Sequence, residues 1–236
     1  MIKFIKDFLA SVFPQRCAYC TEVIPSDALV CSQCEKELPR INGTICHKCG
    51  RAKDDCSCKN AEMYYNGICA PFYFVDNVRK GVHFFKFRNY PQNADAYSSE
   101  MAKTIKERYS HITFDFITEV PMTEKAIEDR GYNQCSLLAE RISKITGIKY
   151  KPGVLKKLYG TDKQHDISFY LRKGNLTGVY DVVNPEEVRG KTVLLVDDIS
   201  TTGETLNECA KMLWLHDAKE IYCIAVALTK PNKNNK

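Results

Sequence analysis

Residues 192–205, TVLLVDDISTTGET, constrain the fold more than any other stretch of the chain. Thr192, Val193, Leu194, Leu195 and Val196 form an unbroken apolar and β-branched run, the pattern of a strand buried on both faces of a parallel sheet. The run predicts a strand that stops at two adjacent carboxylates, Asp197 and Asp198. Ser200, Thr201, Thr202, Gly203, Glu204 and Thr205 follow, and a helical pattern begins behind them. The turn offers backbone N–H groups and hydroxyls to a phosphate, and the dipole of the next helix favours its charge. The carboxylates can accept hydrogen bonds from vicinal sugar hydroxyls or hold Mg²⁺ through water. A phosphorylated ribose satisfies both halves. The competing reading is a core strand running into an N-capped helix. No Gly-Lys-Ser/Thr follows, so this is not a Walker A loop.

Cysteine spacing is the second constraint. Eight of the twelve cysteines lie between positions 17 and 58. Cys17, Cys20, Cys31 and Cys34 form two Cys-x2-Cys pairs and Cys46 and Cys49 a third; Cys56 and Cys58 have one residue between them. Two residues between thiols let both sulfurs reach one ion while backbone N–H groups face them, and two such knuckles close a tetrahedral site suited to zinc. Two structural Zn²⁺ sites are therefore expected. Sequential pairing of the quartets is the simplest arrangement and a crossed one is the alternative. A disulfide framework requires an oxidising compartment, and a redox Cys-x-x-Cys stands alone inside an α/β pattern. With so little apolar material between the cysteines, metal supplies most of this module's folding energy. His47, inside a knuckle, is either a substitute ligand or an exposed residue. Cys69, Cys135, Cys209 and Cys223 stand singly in apolar surroundings and read as core.

The remaining length, 236 residues in all at 44% hydrophobic and 27% charged, accommodates one α/β domain beside that module. The division falls at residues 1–60 and 61–236. No apolar run reaches the roughly 18 residues of a membrane span. Lys6 and Asp7 interrupt any signal-peptide core, and Ile5, Phe8, Leu9, Val12 and Phe13 fall on one helical face instead. A cytoplasmic location is expected. The net charge of +5 does not argue for nucleic acid. Residues 1–60 carry 9 Lys/Arg against 7 Asp/Glu, and two Zn²⁺ on eight thiolates would take that module from about +2 to −2.

Along the rest of the chain, residues 64–74 suggest strand material. Residues 77–87 have helical spacing, with Arg79, Lys80, Lys86 and Arg88 on a polar, solvated side. Residues 93–109 read as a helix and 114–120 as a strand. Pro121 and a polar loop lead to Arg130, Gly131, Tyr132, Asn133 and Gln134, then to a helix faced by Cys135, Leu138 and Ile142. The guanidinium fork of Arg130 suits phosphate; its bland reading is a surface residue. The polar segment at 160–175 reads as a disordered connector or a mobile lid. Strands alternating with helices give an open, mostly parallel sheet whose ligand sits at the carboxyl ends of the strands.

The stretch at 192–205 closely resembles the phosphoribosyl pyrophosphate (PRPP) motif of type I phosphoribosyltransferases. With RGYNQ at 130–134, the polar positions Thr161, Gln164, Arg172 and Asn175, and KFR at 86–88, the whole chain resembles the ComF family, named for bacterial competence. That resemblance implies a zinc module before a type I phosphoribosyltransferase fold. Asp197 and Asp198 would hold the ribose, and Ser200, Thr201, Thr202, Gly203, Glu204 and Thr205 the 5′-phosphate of Mg²⁺-PRPP. It implies Arg130 beside departing pyrophosphate. No histidine lies in either phosphate-binding segment, so His165, in the expected lid, is the one nearby candidate to manage an acceptor's proton; its bland reading is a solvated loop residue. The resemblance also implies a link to DNA uptake and natural transformation, with single-stranded DNA or DNA-uptake proteins as partners. The alternative is an active phosphoribosyltransferase of nucleotide or amine metabolism with no DNA role. Two departures stand out. Lys156 and Lys157 replace an arginine common before the lid threonine, and Thr201 stands where hypoxanthine-type enzymes carry an acid.

Overall fold

The computed structural model describes residues 14–56, 58, 62–158 and 179–231. The helix expected over 1–13 and the lid at 160–175, with Thr161, Gln164, His165, Arg172 and Asn175, lie outside the described residues. In chain order the elements are α1 (Ser32–Glu37), β1 (Gly67–Cys69), β2 (Phe72–Tyr73), α2 (Asp76–Phe87), α3 (Asn93–Arg108), β3 (Phe116–Glu119), α4 (Glu124–Arg130), α5 (Gln134–Thr146), β4 (Leu155–Lys157), β5 (Tyr180–Val182), β6 (Thr192–Ser200), α6 (Glu204–Leu215) and β7 (Glu220–Leu228).

The main sheet is parallel, in the order β1-β7-β6-β3, with β2 also on β7. β1 and β2 are one edge broken at Pro71, which has no N–H to give a ladder. The zinc module covers that edge: Ile41 donates to the Pro71 carbonyl (2.9 Å) and Tyr73 to the Pro39 carbonyl (2.8 Å). Side chains alternate between two apolar layers. Leu194, Val196, Ile224 and Val226 pack under α2, α3 and α5. Val193, Leu195, Ile221 and Cys223 pack under α6. Helices on both faces are why the strand reads as continuously apolar; burying each large side chain contributes about 1.5–3 kcal/mol. The four solitary cysteines are all buried. Among the described residues no helix is long and apolar enough to cross a membrane.

Two expectations need correction. β6 does not stop at the acids but runs on to Ser200, because β7 is equally long and pairs with it through Asp197↔Ala225, Ile199↔Ala227 and Ser200↔Leu228. On the other side the ladder with β3 ends at Val196, where Val120 donates to its carbonyl (2.9 Å). The acids therefore stand on a strand supported from one side and open on the other. The polar stretch after Pro121 is not all loop. Thr123 caps α4 by accepting from the Ala126 N–H (3.2 Å), and Gly131 ends it in the left-handed region at φ 82°. No residue of α4 is buried, so it has no apolar periodicity to announce it.

β4 and β5 form a separate antiparallel pair, Lys157 opposite Tyr180, and their adjoining ends bracket residues 159–178.

Candidate functional site

The open end of β6 collects the site. Asp197 and Asp198 are each only 7% exposed. The Asp197 Oδ1 accepts from the Asp198 backbone N–H (2.8 Å) and from the Cys135 thiol (3.5 Å). Burial, then the neighbouring Asp198 charge, pushes the Asp197 carboxyl up to about 7, against the opposing pull of the Asp198 N–H and the Lys86 ammonium. The Asp198 Oδ1 pairs with the Lys86 Nζ at 2.8 Å.

Lys86 is thus a correction as well as an addition. Sequence spacing sets it on a solvated helix face with Arg79, Lys80 and Arg88, yet its ammonium is drawn onto the acid pair while Arg79, Lys80 and Arg88 remain exposed. The KFR motif is the one local signal; the pairing itself spans 112 positions of sequence.

Beyond Ser200 the chain turns through Thr201, Thr202 and Gly203 into α6. Gly203 occupies the N-cap position at φ 88°, a conformation glycine adopts without strain. Thr201, Thr202, Glu204 and Thr205 are exposed around it and Ser200 is buried beneath. Thr202 accepts from the Glu204 N–H through its hydroxyl (3.3 Å). Carboxylates and a helix N-terminus, separated by one short turn, suit a ligand carrying both hydroxyls and an anion.

Arg130 closes α4. Its guanidinium donates to the Gln134 Oε1 (3.2 Å) and lies over the Phe87 ring, 5.1 Å from the centroid. It therefore touches α2 at the residue after Lys86. Gln134 is fully buried and its Nε2 has no partner among the described residues. Asn133 caps α5 by accepting from the Cys135 N–H (2.9 Å), which places the Cys135 thiol against Asp197. From sequence alone Cys135 reads only as core.

The cysteines assemble as two sequential quartets. Cys17, Cys20, Cys31 and Cys34 bring their sulfurs within 4.8 Å of one another, and so do Cys46, Cys49, Cys56 and Cys58. Sulfur separations include 3.6 Å for Cys20–Cys31, 3.4 Å for Cys46–Cys58 and 3.2 Å for Cys56–Cys58. Those exceed a disulfide bond of about 2.05 Å and approach the roughly 3.8 Å edge of a tetrahedron with Zn–S near 2.3 Å. Each quartet makes one thiol acidic. Burial raises Cys17, but the backbone N–H groups of Cys31, Cys20 and Tyr19 outweigh it and bring the thiol down to about 7. Cys46 falls to about 7 in the same way, burial being outweighed by the Cys49 N–H and the thiols of Cys58 and Cys56. Cys34 and Cys58 are pushed up by burial and by the crowding thiols. Four sulfurs so close cannot all ionise without a cation among them, and a divalent metal fits each set. His47 is exposed and belongs to neither quartet.

Comparison with known proteins agrees with both halves. The double zinc ribbon domain family matches residues 8–70, and the phosphoribosyl transferase domain family matches residues 132–236. The chain is similar to the competence protein ComFC of Bacillus subtilis, 25% identical over 201 residues covering 81% of this chain and 80% of that protein. It is similar to the DNA utilization protein YhgH of Escherichia coli K12, 25% identical over 217 residues and 90% of each chain. Competence protein F of Haemophilus influenzae is 27% identical over 224 residues, 90% of this chain and 96% of that one. The likeness spans both modules.

Proposed function

We propose that this ComF-like chain, a double zinc ribbon joined to a phosphoribosyl transferase domain, binds Mg²⁺-PRPP at the end of β6. Asp197 and Asp198 accept the ribose hydroxyls, and residues 200–205 hold the 5′-phosphate against the N-terminus of α6. Mg²⁺ supplies charge neutralisation for the pyrophosphate. The carrying observation is the pair of buried carboxylates one turn away from the Gly203-capped helix. Arg130 is assigned to the pyrophosphate end, where its fork reaches two oxygens. Lys86 holds Asp198 in the free protein and is freed when the ligand's own groups take its place.

Chemistry at C1 needs a group to manage an acceptor's proton. Thr201 cannot serve as a base at neutral pH, and His165 lies outside the described residues. Binding of PRPP with slow or undetectable transfer to common bases follows. The test is thermal unfolding with and without Mg²⁺-PRPP. A ligand at a hundredfold excess over Kd stabilises by about 2.7 kcal/mol, and the double variant Asp197→Ala, Asp198→Ala should lose that shift. An unchanged shift moves the ribose site elsewhere. Rapid pyrophosphate release with a free base would make the chain an ordinary salvage enzyme.

A DNA role is the second reading, since relatives carry the names competence and DNA utilization protein. One observation favours it. A cavity of about 480 Å³ beside Ile199 is lined by Arg79, Lys80, Phe84 and Phe87, cations and aromatic rings of the kind that bind single strands. Single-strand affinity should fall steeply with salt, and charge reversal at Arg79 and Lys80 should weaken it. Absent or salt-insensitive binding removes this reading.

A further inference from the structure

We infer that Arg51 is a positioning residue through which the second cysteine quartet sets the geometry of the loop at 200–205. The inference rests on the phosphate-loop reading only for what the loop binds; the coupling itself stands on contacts.

Arg51 lies two residues after Cys49, inside a tight hairpin. Cys46 donates its N–H to the Arg51 carbonyl (2.9 Å), Gly50 to the Cys46 carbonyl (2.7 Å) and Lys53 to the Thr44 carbonyl (2.9 Å). The hairpin is pressed flat on the sheet. Gly50 is at φ +70°, and a β-carbon there would lie 2.7 Å from Leu228 Cδ1 and 2.9 Å from the Ile68 carbonyl oxygen. From this fixed base the half-buried guanidinium donates through Nε to the Thr229 carbonyl (2.8 Å) and through a terminal nitrogen to the Thr201 carbonyl (2.9 Å). Thr229 in turn donates its N–H to the Ser200 carbonyl (3.0 Å). One cation thus spans the segment leaving β7 and the segment leaving β6.

A peptide unit is planar and trans, so its N–H points opposite to its carbonyl. Pinning the Thr201 oxygen towards the ribbon aims the Thr202 N–H away from it, into the turn where the anion site lies. Tyr65 makes a second strut: its hydroxyl donates to the Lys48 carbonyl (2.7 Å) and stands 3.6 Å from where a Gly203 β-carbon would be. Little burial holds the ribbon itself, since between residues 42 and 56 only Gly50 is buried. Its order, and with it the reach of Arg51, depends on metal at Cys46, Cys49, Cys56 and Cys58. Loss of that ion should release the Thr201–Thr202 peptide while the sheet beneath stays intact.

The test is hydrogen–deuterium exchange of the full-length protein as wild type, as Arg51→Met and Arg51→Lys, and after chelation of zinc, alongside Mg²⁺-PRPP titration and zinc analysis. Arg51→Met should speed exchange in residues 201–205 by about tenfold, the scale of one lost charged hydrogen bond, and weaken Mg²⁺-PRPP by a similar factor. Amides within β6 should not change. Guanidinium ion at low millimolar concentration should restore loop protection to Arg51→Met, and Arg51→Lys should fall between the two. Chelation should expose the same loop in the wild type, together with both ribbons. Unchanged loop exchange in Arg51→Met with both zinc ions retained would overturn the inference. Should that variant shed zinc, guanidinium failing to restore the loop in the zinc-replete Arg51→Lys would overturn it instead. Arg51-dependent protection in a wild type that binds no PRPP would sink the phosphate reading and leave the coupling standing.

Discussion

The ribbon built on Cys17, Cys20, Cys31 and Cys34 docks on α2, α3 and Phe72 of β2, whereas the one built on Cys46, Cys49, Cys56 and Cys58 reaches the segments that leave β6 and β7. In the first, Tyr19 is fully buried with its ring against Phe72 and Tyr97 at 5.5 and 5.4 Å, and Tyr97 donates to the Ala18 carbonyl (2.7 Å). Asn77 reaches the Cys34 sulfur (3.5 Å), and a β-carbon at Gly81 would strike the Ala18 carbonyl. Among its described residues the second ribbon buries no large side chain fully. Apart from half-buried Ile45 and the close approach of Gly50, its links to the α/β domain are polar: the Arg51 guanidinium, the His47 and Lys48 carbonyls, and Asp55 against the Tyr73 hydroxyl. Identical donor sets therefore do different work. One anchors the fold, and the other adjusts a surface.

The largest expected effect is metal removal. Two Zn²⁺ per chain should survive dialysis, and metal analysis near one or zero would break the symmetry assumed for the quartets. Structural zinc is worth about 10–16 kcal/mol in isolated finger peptides, so exhaustive chelation should abolish cooperative unfolding of the ribbons. Next is Tyr19→Ala, which empties the anchoring contact and should lower unfolding free energy by about 3–5 kcal/mol; a loss below about 1 kcal/mol in a denaturant melt would remove the distinction between the ribbons.

Asp197→Asn should have the opposite sign. Burial and Asp198 raise the folded carboxyl to about 7 from an ordinary value of 3.8. Between those values the native state binds more protons than the unfolded one, so its stability falls as pH rises through that window. Asparagine removes this penalty, giving about 2 kcal/mol of stabilisation at pH 8 that fades towards pH 4. Urea melts at the two pH values check it, and a pH-independent change would count against the buried acid. The smallest effect is Lys86→Ala, expected to alter ligand-free stability by about 1 kcal/mol. Lys86→Glu should also weaken Mg²⁺-PRPP, an effect that a purely solvated place on the helix does not predict. Lys80→Glu should leave that binding intact.

What is legible in the chain is local. The buried strand, its acids, the glycine turn and the cysteine pairs each lie within a few residues, where periodicity and spacing report directly on geometry. What is hidden depends on distance. Nothing near Lys86 says that it meets Asp198, and nothing near Arg51 says that it meets Thr201, 150 positions away. α4 escapes detection because it buries nothing. The true end of β6 does so because its last residues are held by the ladder from β7 rather than by their own hydrophobicity.

The Lys86–Asp198 pair and the raised proton affinity of Asp197 mean that the ligand-free pocket is partly neutralised from within. Uptake of a ligand that needs both carboxylates ionised is then an exchange rather than an addition: an ammonium swings out and, below about pH 7, the proton held by Asp197 departs to the solvent. Calorimetry near pH 7 would register that departure as a binding heat that changes with the ionisation enthalpy of the buffer.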